Sequence, residues 1–134
     1  MRPLKTKRVY KEPAGDDGTR VLVDRLWPRG LTREKGAIDA WHKDLAPSDE
    51  LRRWYAHRPE RWAEFRRRYR EELAAPEKRE AFRDIENLLR NGTVTLVYAA
   101  KDEERNNAVA LTEVAREMAG GAGRRKAGAG RAGR

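Results

Sequence analysis

Two stretches of the chain carry side chains that could do chemistry at the end of an apolar run. Val21-Leu22-Val23 leads into Asp24-Arg25-Leu26-Trp27-Pro28-Arg29-Gly30, and the run Val94 to Ala100 leads into Lys101-Asp102-Glu103-Glu104-Arg105-Asn106-Asn107. Carboxylates at such places transfer protons or orient cations, and Arg or Lys there binds anions. Asp24 and Asp102 are therefore the candidate catalytic groups. Arg25, Arg29 and Lys101 are the candidate anion ligands, with Trp27 and Pro28 shaping the loop and Asn106 and Asn107 adding polar contacts. Each also has a structural use: an Asp-Arg pair commonly forms an ion pair, and Trp-Pro can close a core edge. Density favours a site, since a Trp, a Pro and two Arg share one loop.

For these residues to meet, both runs must be strands of one sheet, because open α/β sheets bind ligands beyond the carboxyl ends of their strands. Thr19 to Asp24 is β-branched and apolar without alternation, as expected of a strand covered on both faces. Thr93 to Ala100 has the same character and reads as a central strand, with Tyr98 and Val23 near neighbouring ends. An earlier strand is expected over Lys7 to Lys11. The turn-rich Pro13 to Gly18 follows it, and so short a connection favours a hairpin with the next strand.

Between these strands the pattern from Ile38 to Leu89 is helical. Ser48 reads as an N-cap before Leu51, Trp54 and Tyr55, and the next helix places Trp62, Phe65, Tyr69 and Leu73 on one stripe. Pro76 opens a third, with Phe82, Ile85, Leu88 and Leu89, closed by Asn91-Gly92. Asn106 or Asn107 caps a last helix with Leu111, Val114, Ala115 and Met118 on its apolar side. The fold class is α/β, a small mixed sheet of about three or more strands with helices packed against it in a single domain over residues 1–118.

Composition narrows the chemistry. With no cysteine and only His42 and His57 among the 134 residues, no metal site is expected, and thiolate catalysis is excluded. Ser48, the only serine, reads as a cap, and no glycine-rich phosphate loop is present. No apolar run suits a membrane span or signal peptide, so a cytoplasmic protein is expected. The net charge of +9 is unevenly placed: Ala119 to Arg134 holds four Arg and one Lys with no acid, and the remaining 26 cations face 22 acids. That Gly/Ala/Arg-rich tail lacks large apolar side chains and reads as disordered. It would attach weakly to polyanions. Arg66-Arg67-Arg68 and Arg70 suggest phosphate contacts, but Glu64, Glu71 and Glu72 at helical spacing make an exposed charged face the better reading. Trp41, Trp54 and Trp62 read as core before base-stacking surface. His57 is either a general base or a helix-end cation.

The string Arg20-Val-Leu-Val-Asp-Arg-Leu-Trp-Pro-Arg-Gly30, with Trp41-His-Lys-Asp-Leu-Ala-Pro-Ser48, Val94-Thr-Leu-Val-Tyr-Ala-Ala-Lys-Asp102 and Asn106-Asn107-Ala108, resembles the YeaO-like family, domain of unknown function 488, over roughly Lys7 to Val114. The resemblance implies a compact bacterial α/β domain with Asp24, Arg25, Trp27, Pro28, Arg29, Asp102 and Asn107 at motif positions. It implies no cofactor and no reaction. Arg105 stands where relatives are expected to carry His, so an activity that needs that imidazole is absent. The favoured reading is a strand-end cleft for a small anionic ligand such as a nucleotide or phosphorylated metabolite. The alternative is a nucleic-acid or regulatory module using the Arg-rich helix and the tail.

Overall fold

The computed structural model describes residues 3–118. Its four strands are β1 (Leu4–Arg8), β2 (Thr19–Leu22), β3 (Ala40–Trp41) and β4 (Val94–Tyr98), in the order β1-β4-β2-β3. All three ladders are parallel. The helices are α1 (Arg33–Gly36), α2 (Asp49–Tyr55), α3 (Trp62–Leu73), α4 (Arg79–Asn91) and α5, residues 107–118.

The α/β class is as expected, and β4 is the central strand, but β1 and β2 form no hairpin. Both pair with β4, which lies between them. The short connection therefore crosses one face of the sheet. It turns at Arg8, whose carbonyl accepts from Lys11 N, and returns across β4, where Thr95 Oγ1 donates to the Asp17 carbonyl at 2.7 Å. Its close approach explains Gly18: with φ at 66°, a Cβ there would lie 2.0 Å from the Thr93 carbonyl oxygen. The expectation of a longer crossover counts helical connections, and this one contains only a 3-10 turn at Gly15–Asp17.

A buried polar network fastens the crossover. Asp17 Oδ2 accepts from Arg20 Nη1 at 2.8 Å and from Ala14 N at 3.0 Å, and Lys7 Nζ lies 2.9 Å from Oδ1. Arg20 also donates from Nε to the Gly36 carbonyl, so one guanidinium ties the crossover to α1. Burial raises the Asp17 pKa, but Ala14 N, Lys7 and Arg20 outweigh it and hold the carboxyl at about 2.

The sheet has a core on each face. Leu4, Val21, Val23, Val94, Leu96 and Tyr98 meet the expected helical stripes, including Phe65, Tyr69, Phe82, Ile85 and Leu111. The opposite face carries a smaller cluster of Val9, Leu22, Ile38 and Val97, covered by Trp27, Leu31 and Trp41. Ile38 and Trp41 are consequently not helical. Trp41 belongs to the two-residue β3, too short to show a period. β1 also starts earlier than expected, because buried Leu4 anchors it while its Lys residues occupy an edge.

Ser48 Oγ accepts from Leu51 N, as expected of the α2 cap, and Asn106 Oδ1 accepts from Val109 N to cap α5. Among the described residues no helix is long and apolar enough to cross a membrane. The tail assigned to residues 119–134 lies outside the described residues.

Candidate functional site

The ends of β2 and β4 are joined side by side, since Val23 N donates to the Val97 carbonyl at 3.2 Å. This leaves Asp24 beside the chain that follows Tyr98. Asp24 Oδ2 accepts from Ala99 N at 2.9 Å and Oδ1 from Asn107 Nδ2 at 3.0 Å. The same Asn107 amide donates to the Val23 carbonyl at 3.0 Å. Burial pushes the Asp24 pKa up; the Asn107 and Ala99 donors, and His57 through its charge, pull the other way.

Asp102 closes the loop after β4. Its Oδ1 accepts from Glu104 N and Arg105 N at 2.9 and 3.0 Å, and Oδ2 from Arg105 Nε at 2.9 Å. The Glu104 N–H contributes most to holding this carboxyl below its usual range, against burial and with Arg105 adding to it. Buried Asn106 donates to the Asp102 carbonyl and caps α5. Both candidate acids are thus carboxylates with structural donors on each oxygen. Lys101 is exposed beside them.

The end of α2 forms the third wall. Tyr55 Oη donates to the Arg105 carbonyl at 3.1 Å, and Ala56 and His57 follow with φ of 48° and 56°. Consecutive left-handed residues without glycine are strained, and such strain is retained where the surroundings over-determine it. His57 is exposed, with its charge felt at Asp24. The sequence places Tyr55 on the apolar face of α2 without marking it or Ala56 as part of this site. The available signal was a helix forced to stop before Pro59 with no glycine to turn on.

The loop after β2 does not keep all its residues at this place. Arg25 turns toward the helical layer, where Nε lies 3.0 Å from Asp49 Oδ1. Trp27 turns to the other face of the sheet, donating to the Leu31 carbonyl and meeting Trp41 edge-on at 5.3 Å between centroids. Pro28 is buried, and exposed Arg29 receives the Tyr10 hydroxyl on its carbonyl. Asp24, Asn106, Asn107 and Asp102 are brought together; Arg25 and Trp27 engage different layers.

The basic stretch on α3 is neutralised in place. Arg67 pairs with Glu64 and Glu71, Arg68 with Glu64, and Arg66 and Arg70 with Glu113 and Glu117 of α5. Arg68 and Glu72, four residues apart on this helix, do not pair, because Glu72 receives Ser48 N and Oγ. The three tryptophans form no common surface: Trp62 stacks on Phe65, Trp54 lies under Arg61 and Arg68, and Trp41 is on the other face of the sheet. No group of three or more potential metal ligands occurs among the described residues.

Comparison with known proteins identifies the family. The family described as the inactive DUF488-N3 subclade matches residues 3–127. The uncharacterized protein Rv3073c of Mycobacterium tuberculosis (strain ATCC 25618 / H37Rv) is 41% identical over 111 residues, covering 83% of this chain and 92% of that protein. The uncharacterized protein YeaO of Escherichia coli (strain K12) is 36% identical over 115 residues, covering 86% and 98%. No solved structure matches. With motifs, family match and full-length relatives in agreement, the chain belongs to the YeaO-like DUF488 family.

Proposed function

We propose that this domain works in the cytoplasm by binding a small anion, such as a nucleotide or a phosphorylated metabolite, at the ends of β2 and β4 without converting it. The observation that carries this reading is the division of labour at the strand ends. Asp24 and Asp102 are engaged by backbone and side-chain donors on both oxygens, which suits scaffolding better than proton transfer. Around them Lys101 and His57 are exposed, Arg25 is half-exposed, and Arg105 sits at the rim. The description of the matching subclade as inactive supports binding without turnover.

Arg105 carries a permanent charge where a titratable imidazole would serve catalysis, and Asp102 holds it at the rim, so Lys101 and His57 are left to meet the anion. A thermal-shift series with inorganic phosphate, pyrophosphate and nucleoside phosphates tests the reading, because a ligand that binds only the folded state raises the melting temperature. At least one of these anions is expected to raise it, and Lys101→Ala and His57→Ala to abolish the rise. Stabilisation that survives both substitutions places the anion elsewhere. Loss of the response in Arg29→Ala as well extends the site into the loop after β2.

A further inference from the structure

We propose that the outer edge of β1 accepts an extended acidic segment of another protein as an additional strand. β1 lies at one end of the sheet. Its register fixes which backbone groups are spent inward: Val94 N donates to the Pro3 carbonyl and Val9 N to the Tyr98 carbonyl, so the odd-numbered residues face β4. Leu4, Thr6 and Arg8 consequently turn their N–H and C=O groups outward. Arg116 Nη2 occupies the Leu4 carbonyl and Lys11 N the Arg8 carbonyl. Among the described residues, both backbone groups of Thr6 remain without a partner, the donor and acceptor that an added strand uses.

This edge forms one wall of a groove. Leu4, Lys5 and Thr6 face Val109, Thr112 and Arg116 of α5 across a volume of about 290 Å³. Thr112 is 95% buried (5% exposed), and its hydroxyl has no hydrogen-bond partner among the described residues. Glu113 adds no net repulsion to an acid, since its carboxylate is turned to Arg66.

Charge selects the occupant. Lys5 and Lys7 are answered by Asp16 and Asp17, but Arg8 on the strand and Arg116 opposite have no acidic partner among the described residues and leave the rim cationic. Lysines on an edge guard against self-pairing, and two copies of β1 would set these cations against each other. The chain's own residues 119–134, with five cations and no acid, are equally mismatched. An extended segment alternating acidic and apolar side chains fits both the open Thr6 backbone and the cationic rim.

The test uses fluorescence anisotropy of dye-labelled acetyl-Glu-Val-Glu-Val-Glu-amide with the full chain at about 0.15 M salt, where exposed charges are screened. Saturable binding is expected. It should weaken at least about tenfold when alternate peptide amides are N-methylated and when Lys replaces Glu in the peptide. Because those comparisons use unaltered protein, they do not depend on a variant folding. Thr6→Pro, checked by circular dichroism, should weaken binding similarly, whereas His57→Ala should leave it unchanged and so separates this edge from the strand-end cleft. Absence of binding, equal binding of the N-methylated or Lys peptide, displacement by inorganic phosphate alone, or a dimer in sedimentation that hides the edge each overturns the proposal.

Discussion

Asn107, in the first turn of α5, donates to both the Val23 carbonyl and Asp24 Oδ1 at 3.0 Å, joining residues 83 positions apart across the ends of two strands. The pairing fixes the polarity of each partner. Asp24 accepts on both oxygens, so Asp24→Asn turns an amide N–H₂ toward Ala99 N or toward the Asn107 amide. Urea unfolding is expected to show a loss of about 1–3 kcal/mol, the cost of an unsatisfied buried donor. Asn107→Asp sets two carboxylates together and should cost at least as much. The double variant Asp24→Asn/Asn107→Asp restores one donor–acceptor contact, so its loss should be smaller than the sum of the two. Additive losses would show that the pair is not coupled.

Acid should weaken the crossover before the helices. Asp17 titrates at about 2 in the fold against an ordinary 3.8. A depressed carboxyl stabilises the fold above its unfolded pKa, and that contribution disappears as pH falls from near 4 through about 2. The difference is on the order of 2 kcal/mol. Stability measured across this range should fall in the unaltered chain and fall less steeply in Asp17→Asn, which starts lower. Parallel acid limbs would show that the network contributes nothing to the pH dependence.

Two glycines in the crossover should behave differently. Gly18→Ala forces a Cβ into the Thr93 backbone at positive φ, and a loss of about 3 kcal/mol or more is expected. Gly15→Ala meets nothing within 4 Å and has no positive φ to oppose it, so it should change stability by less than about 1 kcal/mol. Melting temperatures of the two variants compare them directly.

At the end of α2, Ala56→Gly relieves left-handed strain at φ 48° and should stabilise the fold by up to about 1 kcal/mol. If the strain serves to hold His57 in place, the same variant should respond less to the anion that stabilises the unaltered chain. A full response would assign the left-handed pair to chain reversal alone.

Much of the helical layer was legible in the sequence because its signals are local. The Ser48 cap, the Trp62-Phe65-Tyr69-Leu73 stripe and the Asn106 cap each depend on neighbours within one or two turns. The strand ends were also legible, since Val23 and Val97 lie in apolar runs that only a doubly covered sheet accommodates. The crossover was not. Asp17 ends a turn-rich segment and Arg20 is the one charged residue at the start of an apolar strand, so both have the character of solvated surface, yet both are buried. Their partners, Lys7, Gly36 and Thr95, are scattered along the chain. The same distance effect hid the separation of Arg25 from Trp27: two residues of loop are enough to pass from the helical layer to the other face of the sheet.

The position of β4 has a consequence for how the fold is reached. A strand at residues 94–98 fills the gap between strands at residues 4–8 and 19–22, so the sheet cannot assemble in the order in which the chain is made. During synthesis β1 and β2 must wait, unpaired with each other, until some seventy residues more have emerged. Closure of the sheet is therefore a late, long-range event, and refolding should be slower than its helix content alone would suggest. Amide protection on β1 and β2 should arise together with that of β4 rather than ahead of it.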